Sequence, residues 1–289
     1  MKKVIVTGAA GLMGYDLVSA LLAAQYEVWI LGRSNPFALS SNVHWINIDL
    51  QDKWDCTHLP EKADAVFHLA QSEHFREFPE KAESVFAVNT LSTLQLLNYA
   101  VKSGAKRFIY ASSGGIYGFG DKGFSEEDEI RSQGDLGFYI GTKHCSEILV
   151  ENYLNYFNVA VLRFFFVYGK RQRKNMLIPR LVSQVSDHTP IQIQGTEGIK
   201  INPIYVSDAV NALFNCLSLS GNHKINIGGS EILSLKNICD IIGKLLAVTP
   251  NYAFNPAKTP ASIYGDITKM CKLLHTPIIH FSSGIKNLI

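Results

Sequence analysis

A tyrosine and a lysine stand four residues apart in the run Tyr139-Ile140-Gly141-Thr142-Lys143, a spacing that puts both on one face of a helix. A free phenol ionises near pH 10, so it trades protons near neutrality only where a cation holds the phenolate. Each unit of downward shift favours the anion by about 1.4 kcal/mol. Lys143 is placed to supply that charge, as is the positively charged nicotinamide of an oxidised cofactor. Upstream, Tyr110-Ala111-Ser112-Ser113-Gly114-Gly115-Ile116-Tyr117-Gly118 reads as an apolar strand ending in serines, with Ser113 lying 26 residues before Tyr139. The Ser113 hydroxyl is suited to hold a substrate oxygen beside the phenol. Taken singly, Ser113 reads as a turn cap and Tyr139 as a half-buried aromatic. As a set they describe acid/base work at a carbonyl or carbinol carbon.

The second chemical feature is a glycine loop, Thr7-Gly8-Ala9-Ala10-Gly11-Leu12-Met13-Gly14, with its glycines spaced three apart. It follows an apolar strand and opens a helix. Glycines let the backbone turn tightly and approach a pyrophosphate, while the helix start offers unpaired N–H groups and a partial positive charge. Gly8, Ala10, Gly11, Leu12, Met13 and Gly14 are therefore candidate contacts to a dinucleotide. The next strand ends in Leu31-Gly32-Arg33-Ser34, where an NAD site usually carries an acidic residue for the ribose hydroxyls. Arg33 can make paired hydrogen bonds to a 2′-phosphate and Ser34 can add a donor, so NADP is the preferred cofactor. If Arg33 instead stacks on adenine or points to water, NAD serves. Asp49 and Leu50 read as an adenine contact, or Asp49 as a turn former.

The elements that must position these groups follow from periodicity. Apolar runs at Lys3 to Thr7, Glu27 to Leu31, Val43 to Ile48, Ala65 to Leu69, Arg107 to Ser112 and Ala160 to Phe165 alternate with helical stretches at Met13 to Ala24, Ser84 to Ser103 and Tyr139 to Phe157. That alternation specifies an α/β fold with a doubly wound parallel sheet. Residues 1–168 read as a dinucleotide-binding domain. Residues 169–289 read mainly as a smaller lobe, with a helix at Leu235 to Leu246. The segments Asn202 to Val206 and Lys224 to Ile227 are further strands, either of which can return to the main sheet.

Composition narrows the function classes. A chain of 289 residues with 47% hydrophobic content can bury a large core. Its net charge of +2 gives no field for nucleic acid. No apolar stretch approaches the roughly 20 residues of a membrane span. Cys56, Cys145, Cys216, Cys239 and Cys271 form no CxxC pair and no zinc-like cluster. A reducing, cytoplasmic setting without a bound metal is the resulting expectation.

At this point the chain resembles the extended short-chain dehydrogenase/reductases, the NAD-dependent epimerases and dehydratases of nucleotide-activated sugars. The matches run in order: Thr7 to Gly14, His68-Leu69-Ala70, Asn89, Ser112 to Gly118, Tyr139 to Lys143, Leu162 to Gly169, Ile201 to Ala209 and Ile225 to Gly229. The resemblance implies a catalytic triad of Ser113, Tyr139 and Lys143. It also implies a cofactor site that adds Leu69, Ala70, Asn89, Phe166 and Val167, and a homodimer formed through the two long helices. Substrate contacts are expected from Ser72, Ser113 and Gly114.

Departures from the family pattern select the reaction. Dehydratases and decarboxylating relatives carry an acid just after the catalytic serine or threonine, where this chain has Gly114-Gly115, so a second acid/base is missing. The cysteine and histidine of the 3,5-epimerase/reductases are also missing. Reduction of a nucleotide-linked 4-keto sugar, in surface-polysaccharide or glycoside synthesis, is the leading expectation. The alternatives are a 4-epimerase and, from another class, a non-catalytic NADP sensor. Phe166 replaces a usual asparagine and Ile201 a diphosphate-clamping arginine. Arg171, Arg173 and Lys174 either compensate as phosphate contacts or form a solvated surface.

Overall fold

The computed structural model describes residues 2–131, 137–258 and 260–289. Met1, part of the amino-terminal run, lies outside them. The first part runs β1 (Lys3–Thr7), α1 (Leu12–Ala23), β2 (Glu27–Gly32), β3 (Val43–Asn47), β4 (Ala65–His68), α2 (Ala82–Phe86), α3 (Ser92–Lys102), β5 (Arg107–Ser113), α4 (Gly137–Glu151) and β6 (Asn158–Phe164). Val4, Ile5 and Val6 of β1 are completely buried, as a strand covered on both faces requires.

The second part runs β7 (Val167–Tyr168), α5 (Leu177–Ser186), β8 (Ile191–Gln194), β9 (Lys200–Ile201), β10 (Ile204–Tyr205), α6 (Val206–Asn215), β11 (His223–Ile227), β12 (Leu233–Ser234), α7 (Leu235–Leu246), β13 (Tyr252–Asn255), α8 (Thr268–Leu273) and α9 (Phe281–Gly284). The main sheet is parallel in the order β11-β6-β5-β4-β1-β2-β3. Its direction of winding reverses between β1 and β4, the switch point where such sheets bind ligands. Of the two segments expected as later strands, Lys224 to Ile227 joins the main sheet beside β6, whereas Ile204–Tyr205 pairs with β7. The remaining pairs, β12 with β9 and β13 with β8, build the lobe.

Two long helices differ from their expected form. Ser84 to Ser103 is interrupted by a π turn over Ala87–Leu91. Side-chain hydroxyls occupy the carbonyls there: Ser92 donates to Val88 O at 2.5 Å, and Thr93 to Asn89 O at 2.6 Å. The helix expected to reach Phe157 stops at Glu151. Asn152 Nδ2 takes the Ile148 carbonyl at 2.7 Å, and three-residue turns then bring Phe157 down to stack on Phe108.

Candidate active site

The glycine loop wraps the carboxyl end of β1. Gly8 has φ +74°, and a Cβ there would stand 2.9 Å from Ala70 N, so the backbone needs glycine on both counts. Gly11 N donates to Gly8 O at 2.9 Å, closing the turn. The N–H groups of Leu12, Met13 and Gly14 open α1 and have no carbonyl partner within that helix. A tight turn feeding unpaired N–H groups at the switch point fits the pyrophosphate of a dinucleotide. Leu69 and Ala70 form the opposite wall, facing Gly8, and Leu50 is buried.

The structure brings Ser113, Tyr139 and Lys143 together above the ends of β5 and α4. Tyr139 is 9% exposed and donates from its hydroxyl to Gln71 Oε1 at 2.9 Å. Burial pushes its pKa up to about 12, with the Ser113 hydroxyl opposing in part. Lys143 is pushed down to about 7 by burial, and Glu147 acts in the other direction. Its Nζ donates to Ala111 O at 2.9 Å and lies 5.1 Å over the Tyr110 ring. The expectation of a phenol lowered by Lys143 is therefore corrected. The ammonium is committed to a carbonyl and a ring face, and burial governs Tyr139, which stays protonated at neutral pH. Ser113 also caps the turn Gly114–Tyr117, accepting from Gly115 N at 3.1 Å, which leaves its own proton free to donate.

A buried charge network, which sequence reasoning missed, underlies this trio. Glu147 pairs with Arg163 at 2.7 Å, and each side chain is 1% exposed. Arg163 Nε adds contacts of 3.2 and 3.3 Å to both carboxylate oxygens, and Ser112 Oγ donates to Glu147 at 2.5 Å. The signal available in the sequence was a single arginine inside the apolar run of β6. Gln71 and Glu73 were also missed. They lie one and three residues after the segment His68-Leu69-Ala70, at a strand end where ligands bind.

Asn89 sits in the π turn, fully buried, and both ends of its amide are held by protein: Oδ1 accepts from Ser72 N at 2.9 Å and Nδ2 donates to Thr142 Oγ1 at 3.0 Å. It thus ties the loop after β4 to α4. The Ser72 hydroxyl accepts from His74 N at 3.2 Å. Phe166 adopts φ +47°, a left-handed conformation rare for a bulky residue, and Val167 follows it into β7. Gly114 faces the Phe165 ring: a Cβ there would lie 2.5 Å from Phe165 Cε1, and one on Gly265 would lie 2.6 Å from Cε2. Phe165 stacks in turn on Tyr117, and Tyr117 on Phe124, with centroids 6.1 and 5.0 Å apart.

The candidate arginines Arg33, Arg171 and Arg173 all have partners. Arg33 donates to Glu73 Oε1 at 2.8 Å and lies 3.8 Å from Asp49. Asp49 also forms a turn by accepting from Gln51 N at 3.1 Å. Ser34, next in the chain, is exposed. A 2′-phosphate would have to displace Glu73 from Arg33 and then face two carboxylates, so the preference for NADP loses its structural basis. Arg173 reaches the other oxygen of Glu73 at 3.1 Å, and Arg171 pairs with Asp16 at 2.9 Å while lying 3.6 Å over the Tyr15 ring. Arg171 is therefore directed at α1, away from Tyr139. Among the described residues, no group of three or more His, Cys, Asp or Glu is placed to hold a metal, and no helix is long and apolar enough to cross a membrane. All five cysteines are free.

Comparison with known proteins agrees with this geometry. Residues 4–228 match the NAD dependent epimerase/dehydratase family. The chain is 28% identical to the dTDP-4-dehydro-6-deoxyglucose reductase of Escherichia coli, with 99% of this chain and 96% of that protein aligned. It is also 28% identical, over the same shares, to an uncharacterized UDP-glucose epimerase of Bacillus subtilis (strain 168). The crystal structure of UDP-glucuronic acid 4-epimerase from Bacillus cereus, in complex with UDP-glucuronic acid and NAD, superposes with a TM-score of 0.86 at 27% identity, covering 99% of this chain and 97% of that one. With its Rossmann-like sheet, glycine loop and Ser-Tyr-Lys trio, the chain belongs to the NAD dependent epimerase/dehydratase family of enzymes.

Proposed function

We propose that this protein reduces the keto group of a nucleotide-activated 4-keto sugar, with NADH as the hydride source. The observation that carries this reading is the setting of Tyr139: a buried phenol, raised above its ordinary value by desolvation, beside Ser113 and Gln71, with no carboxylate at the Gly114 position. A neutral phenol is the form needed to give a proton to the oxygen of a ketone as it becomes an alkoxide. Ser113 holds that oxygen through its free proton. Lys143 anchors the floor of the site by donating to Ala111 O. Gly8 to Gly14, Leu69 and Ala70 would hold a dinucleotide, which would supply the hydride.

Elimination of water requires a second acid or base near the substrate carbon, and the Phe165 ring fills the space next to Ser113 where a side chain on residue 114 would begin. NADH is favoured over NADPH by the Glu73 and Asp49 carboxylates around Arg33. Likeness to the Bacillus cereus 4-epimerase supports a second reading, 4-epimerisation by the same trio. A homodimer through α2, α3 and α4 is supported by Phe86, Leu91 and Ile148, which are 47, 46 and 48% exposed on adjacent helices.

The test is a panel of UDP- and dTDP-linked sugars and 4-keto sugars, followed by NADH absorbance and product chromatography. Net NADH oxidation with a 4-keto sugar, abolished in Tyr139→Phe, is the expected result. Interconversion of 4-epimers without net NADH loss replaces this reading with the second, and unchanged turnover in Tyr139→Phe refutes both.

A further inference from the structure

Thr7 and His68 are direct neighbours in register across β1 and β4, and both are completely buried. Thr7 Oγ1 accepts from Ala70 N at 3.1 Å and lies 2.7 Å from His68 Nδ1. With one lone pair used by Ala70 N, the Thr7 hydroxyl keeps a proton and a second lone pair, so this edge alone fits either tautomer. At the other edge of the ring, His68 Nε2 lies 2.9 Å from Thr93 Oγ1, whose proton goes to Asn89 O at 2.6 Å. Thr93 must then accept, so Nε2 carries the proton. Ser92 Oγ, 3.4 Å from Nε2, gives its proton to Val88 O and is likewise an acceptor. The Nε2 edge thus fixes the neutral tautomer, and Nδ1, left without a proton, accepts from Thr7 Oγ1. Burial, with Lys143 adding to it, pushes the ring down to about 3, in accord with that neutral state.

The chain of bonds does not end at Asn89. Its side chain holds Ser72 N and Thr142 Oγ1, and Thr142 donates to Tyr139 O at 2.7 Å. Ser146 of α4 donates to Asn89 O as well, at 2.8 Å. A continuous set of hydrogen bonds therefore runs from the end of β1, where the glycine loop starts, through one imidazole to the π turn and the backbone of Tyr139.

We infer that His68 is a positioning residue whose two ring nitrogens serve different partners, Nδ1 fixing the glycine loop and the Ala70 wall, Nε2 fixing the π turn and the helix that carries Tyr139. It touches neither substrate nor reacting atoms. Its effect is to hold the cofactor groove and the acid/base helix in one register. This role rests on the proposed use of Tyr139, yet it makes claims that can be read without any substrate.

Two substitutions separate the nitrogens. His68→Asn keeps an acceptor near the Nδ1 position and loses Nε2, whereas His68→Gln keeps a donor near Nε2 and loses Nδ1. Thr93→Val cuts the second branch from outside the cleft. For His68→Asn and Thr93→Val, kcat should fall about fivefold, the factor that one net buried hydrogen bond corresponds to, with the Kd for NADH unchanged. For His68→Gln, the NADH Kd should rise by about the same factor with kcat largely kept. Amide hydrogen exchange on the intact protein should follow the same division. His68→Gln should speed exchange in residues 4–14 and 66–72, and the other two variants in residues 85–95 and 139–146. Equal effects on both halves, or none on either, overturn the inference. Should the His68 variants fail to fold, Thr93→Val decides alone: unchanged exchange across 139–146 overturns it. If no 4-keto sugar is reduced by the unmodified protein, the functional reading fails while the exchange pattern still decides the role of His68.

Discussion

Glu147→Gln tests the buried charge network directly. It keeps the side-chain shape and removes one negative charge from a site where both partners are 1% exposed. Arg163 stays charged at any usable pH, so its charge is left in the interior without a counter-ion. Breaking a buried pair from one side costs about 3–5 kcal/mol. The amide oxygen can still accept one guanidinium bond, and Arg163 keeps Tyr117 OH at 2.6 Å and Glu126 O at 3.2 Å. The lower end, about 3 kcal/mol, is therefore expected. Urea unfolding at pH 8 measures it; Lys143, pushed down to about 7, is already largely neutral there, so the loss reports on Arg163. The control is the double variant Glu147→Met with Arg163→Met, which removes both charges and should recover most of the loss, since apolar replacement of a whole buried pair is often neutral. A single variant as stable as the parent, or a double variant less stable than the single, would refute the reasoning.

Three further outcomes are expected. Lys143 titrates at about 7 when folded against 10.5 when unfolded. The unfolded chain thus binds the extra proton between those values, and stability rises with pH across that window by up to about 1.4 kcal/mol per unit; urea midpoints of Lys143→Met should lack this slope. Glu73→Gln frees Arg33 from its nearer carboxylate, and fluorescence titration should show the NADPH to NADH affinity ratio rising about threefold, in line with an exposed ion pair; an unchanged ratio removes Glu73 from cofactor choice. The parent should sediment as a dimer and Leu91→Asp combined with Ile148→Asp as a monomer; a parent that is monomeric, or a double variant that stays dimeric, removes the proposed interface.

What was legible in the sequence was local. The glycine loop needs only its spacing and its place after an apolar strand, and Tyr139 with Lys143 needs only four residues of helix. The helix Leu235–Leu246 has the bounds its apolar period indicates. Features that depend on distant chain segments were not legible. Glu73 meets Arg33 from 40 residues away, so a guanidinium that read as a phosphate site is already engaged. The phenol of Tyr139 read as lowered because its lysine is nearby in sequence, but desolvation is set by the whole fold and acts in the opposite direction. The π turn at Ala87–Leu91 depends on hydroxyls and on α4, neither of which alters the apolar period of that stretch.

The clamped ring of Phe165 constrains how this enzyme can change over generations. A carboxylate at position 114 would have to enter a space that the ring already fills, and overpacking of that kind costs about 1–3 kcal/mol before any new activity appears. Shrinking Phe165 first would instead leave a hole between Gly114 and Gly265, at a cost of about 3–5 kcal/mol. Neither single step is neutral, so selection for water-eliminating descendants would have to cross a valley in fitness that a paired mutation alone avoids.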